Sequence, residues 1–147
     1  TGSISRIKEV REAINSANHN ALLMVDSISG LASLEYKHDE WGVDVTVSGS
    51  QKGLMLPPGL SFNAISEKAL LASNENSMKR SYWDWKEQIQ SNKQGSFPYT
   101  PATNLLYGLK EAIDMLHEEG LENVFKRHDS LARATRSAVQ AGGVEAL

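Results

Sequence analysis

The stretch VDVTVSGSQKGLMLPPGLSFNAIS, residues 43–66, decides the fold. Its opening, VDVTVSGS, has the β-branched residues of a strand, and its closing GLSFNAIS, residues 59–66, predicts another strand. The part between them is too rich in glycine and proline for either a strand or a helix, and its Pro-Pro-Gly turn predicts a sharp reversal of the chain. A single lysine, Lys52, therefore lies in an irregular loop just after a strand.

A further strand is predicted upstream, in ALLMVD, residues 21–26. Its short apolar run is typical of a strand buried on both faces. Residues 27–42 separate it from the next strand, which is enough chain for a crossover between parallel neighbours. Together these strands indicate a sheet that is at least partly parallel.

Helical periodicity accounts for much of the remaining chain. Ser5 is a candidate N-cap for the first helix, and Thr100 followed by Pro101 resembles the N-cap and first residue of a later one. The predicted helices span residues 6–17, 67–72, 101–120 and 121–141. Strands followed by helices of this length predict one α/β domain.

Composition narrows the class of protein. A net charge of −3 with dispersed lysines and arginines predicts neither a nucleic-acid partner nor binding to an anionic membrane, and the longest apolar run is far shorter than a membrane span. The absence of cysteine excludes disulfides and thiol catalysis, and it fits a reducing compartment, so we expect a cytoplasmic protein acting on small molecules. Because the sequence opens on Thr1 without a methionine, we expect it to be part of a longer chain.

Two polar residues, Asp26 and Lys52, follow the ends of the first two predicted strands, where parallel sheets bind ligands. Asp26 either pairs with a cation, because an unpaired buried carboxylate is costly, or caps the following turn. Lys52 either solvates the surface or, if desolvated, has a lowered pKa and attacks a carbonyl to form a Schiff base. A phosphate loop is excluded, since no G-x-x-x-x-G-K-[ST] motif occurs.

Other candidate residues favour structural interpretations. The consecutive residues 38–40 (HDE) cannot converge on one metal ion, so a solvated turn is predicted there. His117 and His128 lie on helical segments without ligand spacing, which indicates surface or interface positions. The aromatic cluster SYWDW, residues 81–85, is predicted to pack against the core or a subunit interface rather than to line a ligand pocket.

Residues 25–70 and 97–125, with the SYWDW segment, resemble the class V aminotransferases that depend on pyridoxal phosphate. The V-D strand end and the S-Q-K-G, P-P-G and P-Y-T-P-A-T-N elements occur in the family's order, and the resemblance covers almost the whole chain. It implies part of a fold-type-I large domain, with a mostly parallel sheet and helices, over residues 1–125. Residues 126–147 then correspond to the first helix of the small C-terminal domain. The family also implies a homodimer with active sites at the interface.

The resemblance assigns roles to individual residues. Lys52 forms the Schiff base with pyridoxal phosphate and moves the substrate proton, while Asp26 pairs with the protonated pyridine nitrogen, which keeps the ring an electron sink. Ile28 packs against one face of the ring and Gln51 contacts the phosphate. No metal is implied.

Contacts to the neighbouring subunit's cofactor are also implied. Thr100, together with Tyr99, reaches that cofactor's phosphate, helped by the N-terminus of the helix that opens at Pro101. Some relatives carry a tyrosine where this chain has Phe97, so the hydroxyl contact is assigned to Tyr99 as an alternative. The family's phosphate-binding glycine loop, its stacking aromatic ring and its substrate-binding arginine are expected outside this sequence.

The implied substrates are an amino acid and a 2-oxo acid. The resemblance is strongest to bacterial members that transfer the amino group of serine to glyoxylate, giving hydroxypyruvate and glycine. Alanine as the donor is the alternative within the family, whereas cysteine desulfuration is disfavoured because Gln51 stands where that group has histidine. An inert truncated α/β segment that only self-associates or binds a partner is the alternative from another class.

Overall fold

The computed structural model describes residues 3–144, which form three strands and five α-helices. The strands are β1 (Met24–Asp26), β2 (Val45–Gly49) and β3 (Ser61–Ile65). The helices are α1 (Ile7–Ser16), α2 (Glu67–Asn74), α3 (Trp85–Lys93), α4 (Thr103–Glu119) and α5 (Leu121–Ala141), with a 3₁₀ turn at Ser81–Trp83. No helix within residues 3–144 is long and apolar enough to cross a membrane.

The sheet has the order β1-β2-β3 and is mixed. β1 and β2 are parallel, with Asp26 opposite Val47, so the predicted crossover is confirmed. β2 and β3 are antiparallel, with Gly49 opposite Ser61, which confirms the reversal predicted at Pro-Pro-Gly. The α/β class is therefore confirmed, although only one of the two strand pairings in this sheet is parallel.

β2 is the central strand and is covered on both faces, with Val45 only 1% exposed. β1 lies at the edge of the sheet and alternates: Val25 is buried, whereas Met24 is 64% exposed. The prediction that β1 is buried on both faces is wrong for this structure, because α1 and the crossover cover only one side of the edge strand.

Helix α1 has the amphipathic pattern that its sequence predicts, and its apolar side packs on the sheet. The buried centre of this cluster consists of Leu23, Val25 and Val43; the half-buried residues packed around it are Ile7, Ile14, Tyr36 and Trp41. Ser5 does not cap the helix: Arg6 occupies the cap position and makes no side-chain cap bond. Burial of this face, rather than capping, holds α1 in place.

The buried carboxylate of Asp44 joins three elements just before β2. It pairs with Arg11 of α1, and its Oδ2 accepts the Leu23 N–H at 2.8 Å next to β1. Its Oδ1 accepts the Ser66 hydroxyl at 3.0 Å, and Ser66 in turn caps α2. Arg11 also donates to the Gly42 carbonyl at 2.7 Å. Both carboxylate oxygens of Asp44 therefore have hydrogen-bond partners in place of the water that burial excludes.

The crossover between β1 and β2 contains turns rather than a helix, and it folds back onto β2. The Thr46 hydroxyl lies 2.5 Å from the Tyr36 hydroxyl and 2.7 Å from His38 Nδ1. Burial raises the pKa of Tyr36, even though its hydrogen bond to Thr46 opposes the shift. The predicted solvated turn is therefore correct for the exposed Asp39 and wrong for His38, because the buried Thr46 hydroxyl of the central strand requires polar partners.

The C-terminal half is helical, as predicted, but one helix begins later. α4 starts at Thr103 with Ala102 in the cap position, so Thr100 does not cap it. The Thr103 N–H instead bonds the Pro101 carbonyl at 2.9 Å, which makes a tight turn before the helix. At the other end α4 stops at Glu119 and α5 follows Gly120 directly, as the sequence predicts.

Core packing in this half involves small and aliphatic residues rather than the aromatic cluster. Ala112 and Leu116 of α4 and Val124 of α5 are buried. Trp83 is 78% exposed and Tyr82 is 58% exposed, so the prediction that these two rings pack on the core is wrong for these residues. Their role at a subunit interface stays a prediction.

The Asp44 contacts predict how stability depends on pH. Burial by itself would raise the pKa of Asp44, but hydrogen bonds from Leu23, Ser66 and Arg11 outweigh it and lower the pKa below its usual range. A carboxyl whose folded pKa is depressed stabilises the fold above its unfolded pKa of about 4, and this contribution is lost as pH falls through the folded value.

We therefore expect Asp44→Asn to lower the free energy of unfolding at pH 7 by roughly 3–5 kcal/mol, because Arg11 is left buried without its counter-ion. Urea unfolding at several pH values checks this: the variant should lose less stability than the wild type between pH 5 and pH 3. Asp114→Asn, which removes only an exposed pair with Lys110, is the control and should change little. Equal pH slopes in wild type and Asp44→Asn would contradict this account.

Candidate active site

The parallel pairing of β1 and β2 places their carboxyl ends at one edge of the sheet. Asp26 ends β1, and Lys52 lies three residues beyond Gly49, the last residue of β2. The lysine loop, defined here as residues 50–60, folds over this edge so that Lys52 Nζ donates to Ser29 Oγ at 2.6 Å. The two predicted site residues therefore share one edge, as the strand pattern indicates.

Asp26 begins a compact turn, called here the Asp26 turn, residues 26–34. Its Oδ1 accepts the Ile28 N–H at 2.9 Å, so the interpretation of Asp26 as a turn-capping residue is correct. Ser27 anchors the turn to β2, because its N–H and its hydroxyl both donate to the Val47 carbonyl, at 2.8 and 3.2 Å. The turn is thus fixed to the central strand.

The other carboxylate oxygen of Asp26, Oδ2, has no hydrogen-bond partner within residues 3–144. The side chain is exposed, so water can solvate it. The expectation that burial forces a cation onto Asp26 is therefore wrong for this structure, because β1 is an edge strand whose end is open. The carboxylate remains available to an incoming group.

A serine that the sequence analysis did not single out organises the lysine loop. Ser50 is fully buried; its hydroxyl donates to the Pro57 carbonyl at 2.8 Å and accepts the Leu60 N–H at 3.2 Å. Its own carbonyl accepts the Leu56 N–H at 3.1 Å. These bonds close the loop at its base, two residues from Lys52. The only sequence signal is a small polar residue between a strand and the lysine, which is too common to identify its role.

At two positions, the close approach of atoms from another segment requires glycine. A Cβ added at Gly53 would lie 2.0 Å from the Leu31 carbonyl oxygen and 2.9 Å from Ser33 Oγ, so only glycine lets the lysine loop touch the Asp26 turn. At Gly59, which has a φ of 146°, a Cβ would lie 2.5 Å from Leu105 Cδ1 of α4. The lysine loop therefore packs between the Asp26 turn and helix α4.

The remaining predicted cofactor residues are placed as follows. Gln51 is exposed and its side chain lies over Gly49, where an added Cβ would meet Gln51 Oε1 at 2.7 Å. Ile28 is half-buried on the Asp26 turn. Thr100 and Tyr99 are exposed, and in the part of the chain described no hydrogen bond or ring contact joins either to Lys52.

The Tyr99 ring packs instead near Tyr82, with ring centroids 5.0 Å apart, and its hydroxyl donates to Glu87 at 3.4 Å. These contacts keep Tyr99 on an exposed aromatic surface beside α3. The approach of Tyr99 to a cofactor phosphate stays a prediction.

Lys52 itself is exposed, so of the two alternatives that the sequence left open, a solvated or a desolvated lysine, residues 3–144 match the first. A cleft of about 280 Å³ lies beside it, lined by Ser33, Lys52, Gly53, Met55, Val124, Arg127 and His128. Arg127 is engaged by Glu119 through two hydrogen bonds of 2.7 and 2.8 Å, which neutralises its charge. Residues 3–144 contain no cluster of three or more histidines and acids that could hold a metal ion.

Comparison with known proteins identifies the class. The family model described as aminotransferase class-V matches residues 1–145. The chain therefore belongs to the class-V aminotransferase family.

Individual relatives agree with this assignment. The chain is 52% identical to the serine–glyoxylate aminotransferase of Methylorubrum extorquens and 43% identical to the L-aspartate–glyoxylate aminotransferase of Paracoccus denitrificans. Each match covers 99% of this chain and 37% of the relative. A crystal structure of an alanine–glyoxylate aminotransferase from a Nostoc species superposes with a TM-score of 0.85 at 28% identity, over 99% of this chain and 39% of that structure. The chain thus spans little more than a third of the length of these proteins.

The role of Ser50 gives a prediction about the loop that carries Lys52. We expect Ser50→Ala to cost about 1–3 kcal/mol of unfolding free energy, because the Leu60 N–H and the Pro57 carbonyl lose a buried partner. Amide hydrogen exchange at Leu60 should accelerate selectively. Ser96→Ala removes only an exposed hydroxyl contact and is the matched control. Unchanged exchange at Leu60 in Ser50→Ala would show that the hydroxyl does not organise the loop.

Proposed function

We propose that the whole protein carrying this chain transfers an amino group from an amino acid to glyoxylate with pyridoxal phosphate as its cofactor. The observation that carries the proposal is the Lys52 amine held at 2.6 Å by the turn that begins at Asp26, at the carboxyl edge of the parallel strands. Membership of the class-V aminotransferases gives this pair of residues a known kind of chemistry.

The residues at this edge fit the cofactor. An aldehyde-bearing pyridine ring needs an amine to condense with and an acceptor for its ring N–H, and the edge offers Lys52 Nζ and Asp26 Oδ2. Neither group forms an ion pair within the described residues, so neither must break a salt bridge to take up this role. We assign Ile28 to one ring face and Gln51 to the phosphate, since both lie on the two segments that meet at this edge.

When bound, pyridoxal phosphate supplies an aldehyde for the amines of Lys52 and the substrate and an electron sink for the electrons released at the substrate α-carbon. The Lys52 amine would take the proton from the substrate α-carbon and deliver it to the carbon that carried the aldehyde, so that the amino group is left on the cofactor and a 2-oxo acid is released. The Asp26 carboxylate would face the ring nitrogen and stabilise positive charge there. Proton transfer by a positioned amine of this kind typically accelerates a reaction by roughly 10²–10⁴-fold.

The identity of the substrates rests on the relatives. The three proteins compared differ in the amino donor but share glyoxylate in their names, which favours glyoxylate as the acceptor here. Serine is the proposed donor because the serine–glyoxylate enzyme is more similar to this chain than the other two. The products are then hydroxypyruvate and glycine. Alanine is the second candidate donor.

A homodimer completes the proposed site. Thr100 and Tyr99 are exposed and neither makes a hydrogen bond to Lys52 within residues 3–144, so we assign them to the phosphate of the cofactor held by a second subunit. The exposed ring of Tyr82 contacts the rings of Tyr99 and Trp83, and these rings would be covered in the same interface. Since α4 begins at Thr103, the contribution expected from a helix opening at Pro101 is smaller than the sequence suggested.

Residues 1–125 are proposed to belong to the large domain and residues 126–147 to the start of the small one. Val124 near the start of α5 is fully buried, whereas the helix is exposed beyond Ala132. A helix that leaves the core in this way suits a connection between domains. The proposed boundary falls inside α5, which runs without interruption from Leu121 to Ala141.

Covalent trapping tests the cofactor proposal. Borohydride reduction in the presence of pyridoxal phosphate should label the peptide that contains Lys52, and Lys52→Arg should abolish this label. Lys93→Arg, on the exposed end of α3, is the matched control and should leave the label unchanged. A label on other lysines that persists in Lys52→Arg would refute the assignment and favour an inert α/β segment.

Asp26→Asn separates cofactor attachment from turnover. It should still be labelled at Lys52, because the amine is intact, but amino transfer should fall by roughly 10²–10³-fold since the charge facing the ring nitrogen is lost. The measurement is single-turnover conversion of the cofactor by an amino acid. Wild-type rates in Asp26→Asn would remove Asp26 from the mechanism.

Product analysis tests the substrates. With serine and glyoxylate the whole protein should form hydroxypyruvate and glycine in equal amounts, and alanine should replace serine with a lower kcat/KM. A higher kcat/KM with alanine or aspartate would overturn serine as the donor while leaving glyoxylate as the acceptor.

A further inference from the structure

We propose that Ser29 is a positioning residue for Lys52, which holds its ε-amine at the sheet edge whenever the amine is not covalently engaged. The importance of this contact for turnover rests on the proposed function, but the contact itself can be tested without assuming that function.

The contact is short and its two partners are held by independent backbone restraints. Lys52 Nζ and Ser29 Oγ are 2.6 Å apart. On one side, the Ser27 carbonyl accepts the Gly30 and Leu31 N–H groups at 3.0 and 2.9 Å, which closes the turn around Ser29. On the other side, the Met55 N–H bonds the Lys52 carbonyl at 2.8 Å. Backbone hydrogen bonds therefore fix the position of each residue independently of the contact between the two side chains.

Close approach of the two segments adds a second observation. The backbone at Gly53 touches the Leu31 carbonyl so tightly that no side chain fits there. The residue after Lys52 is thus in contact with the residue two positions after Ser29. A lysine fixed at this point has a serine hydroxyl within reach of its flexible side chain.

The Ser29 hydroxyl is uncharged, and this makes it a suitable partner for a reactive amine. A carboxylate in place of Ser29 would stabilise the ammonium form and oppose its deprotonation. A hydroxyl accepts from an ammonium and donates to a neutral amine, so it can hold Nζ in both protonation states. Within residues 3–144 Ser29 is the only polar partner of Lys52 Nζ. The amine is oriented without being neutralised by an acid.

Acetylation by limiting acetic anhydride tests the contact in the absence of any cofactor. Acetic anhydride is free in solution and gains nothing from a fixed orientation of the amine, whereas the Ser29 hydroxyl occupies the lone pair of a neutral amine whenever it donates to Nζ. Ser29→Ala should therefore raise the acetylation rate of Lys52, relative to Lys93 in the same sample, by roughly 3–10-fold, the factor set by one ordinary hydrogen bond. Ser29→Thr, which keeps the hydroxyl, should restore the wild-type ratio, and Ser61→Ala should not alter it. Amide exchange at Met55 should be unchanged in every variant, which separates positioning from loosening of the lysine loop.

The rate of pyridoxal phosphate attachment to Lys52, measured by borohydride trapping over time, tests the role. Here Ser29→Ala should be slower than the wild type by a similar factor, because an unrestrained amine meets the aldehyde in fewer productive orientations. Equal acetylation ratios in wild type and Ser29→Ala, or equal attachment rates, would overturn the proposal. If the wild type does not attach the cofactor but the acetylation rates still differ, the proposed function is refuted. The role of Ser29 is then limited to holding the amine.

Discussion

The buried carboxylate of Asp44 is the constraint on which the rest of this structure depends. It joins Arg11 of α1, the backbone before β1 and the cap of α2, and so sets where the edge strand and two helices stand relative to β2. Charges removed from water are costly, and they are tolerated only when every lone pair has a partner in good geometry. An alternative register of β1 would take the Leu23 N–H away from Asp44 Oδ2. The Asp44 contacts therefore fix the start of β1, and the opposite, carboxyl end of the same strand carries Asp26.

Small residues and neutral hydroxyl groups bring the lysine loop and the Asp26 turn into contact. Gly53 allows two backbone segments to touch, Ser50 closes the lysine loop from inside, and Ser29 meets the amine of Lys52. None of these groups carries charge, so within residues 3–144 Asp26 and Lys52 are not engaged in ion pairs and remain able to interact with a ligand. Backbone hydrogen bonds make the proposed site rigid, whereas its proposed reactivity depends on two exposed side chains.

Much of this could be predicted, and the errors have physical causes. Helix α5 and the end of α4 at Gly120 follow from periodicity and from glycine at a position with φ of 79°, and the parallel pair follows from the length of the crossover. Thr100 was wrongly predicted to cap α4, because a turn closed by the Pro101 carbonyl is indistinguishable in sequence from a helix start. His38 was wrongly placed in solvent, because its partner Thr46 becomes its neighbour only when the crossover folds back on β2.

The sequence by itself determined the α/β class, the order of the three strands and of four of the five helices in the described residues, and the placement of Asp26 and Lys52 after neighbouring strands. Periodicity, turn chemistry and strand ends are local properties of the chain, whereas α3 was not predicted. Only the tertiary structure decided that Asp26 is solvated rather than buried, that Ser50 and Gly53 shape the lysine loop and that Ser29 receives the amine. These features depend on groups many residues apart coming within hydrogen-bonding or van der Waals distance. Local preference carries no information about such distances, since they are set by how buried polar groups find partners in the folded chain.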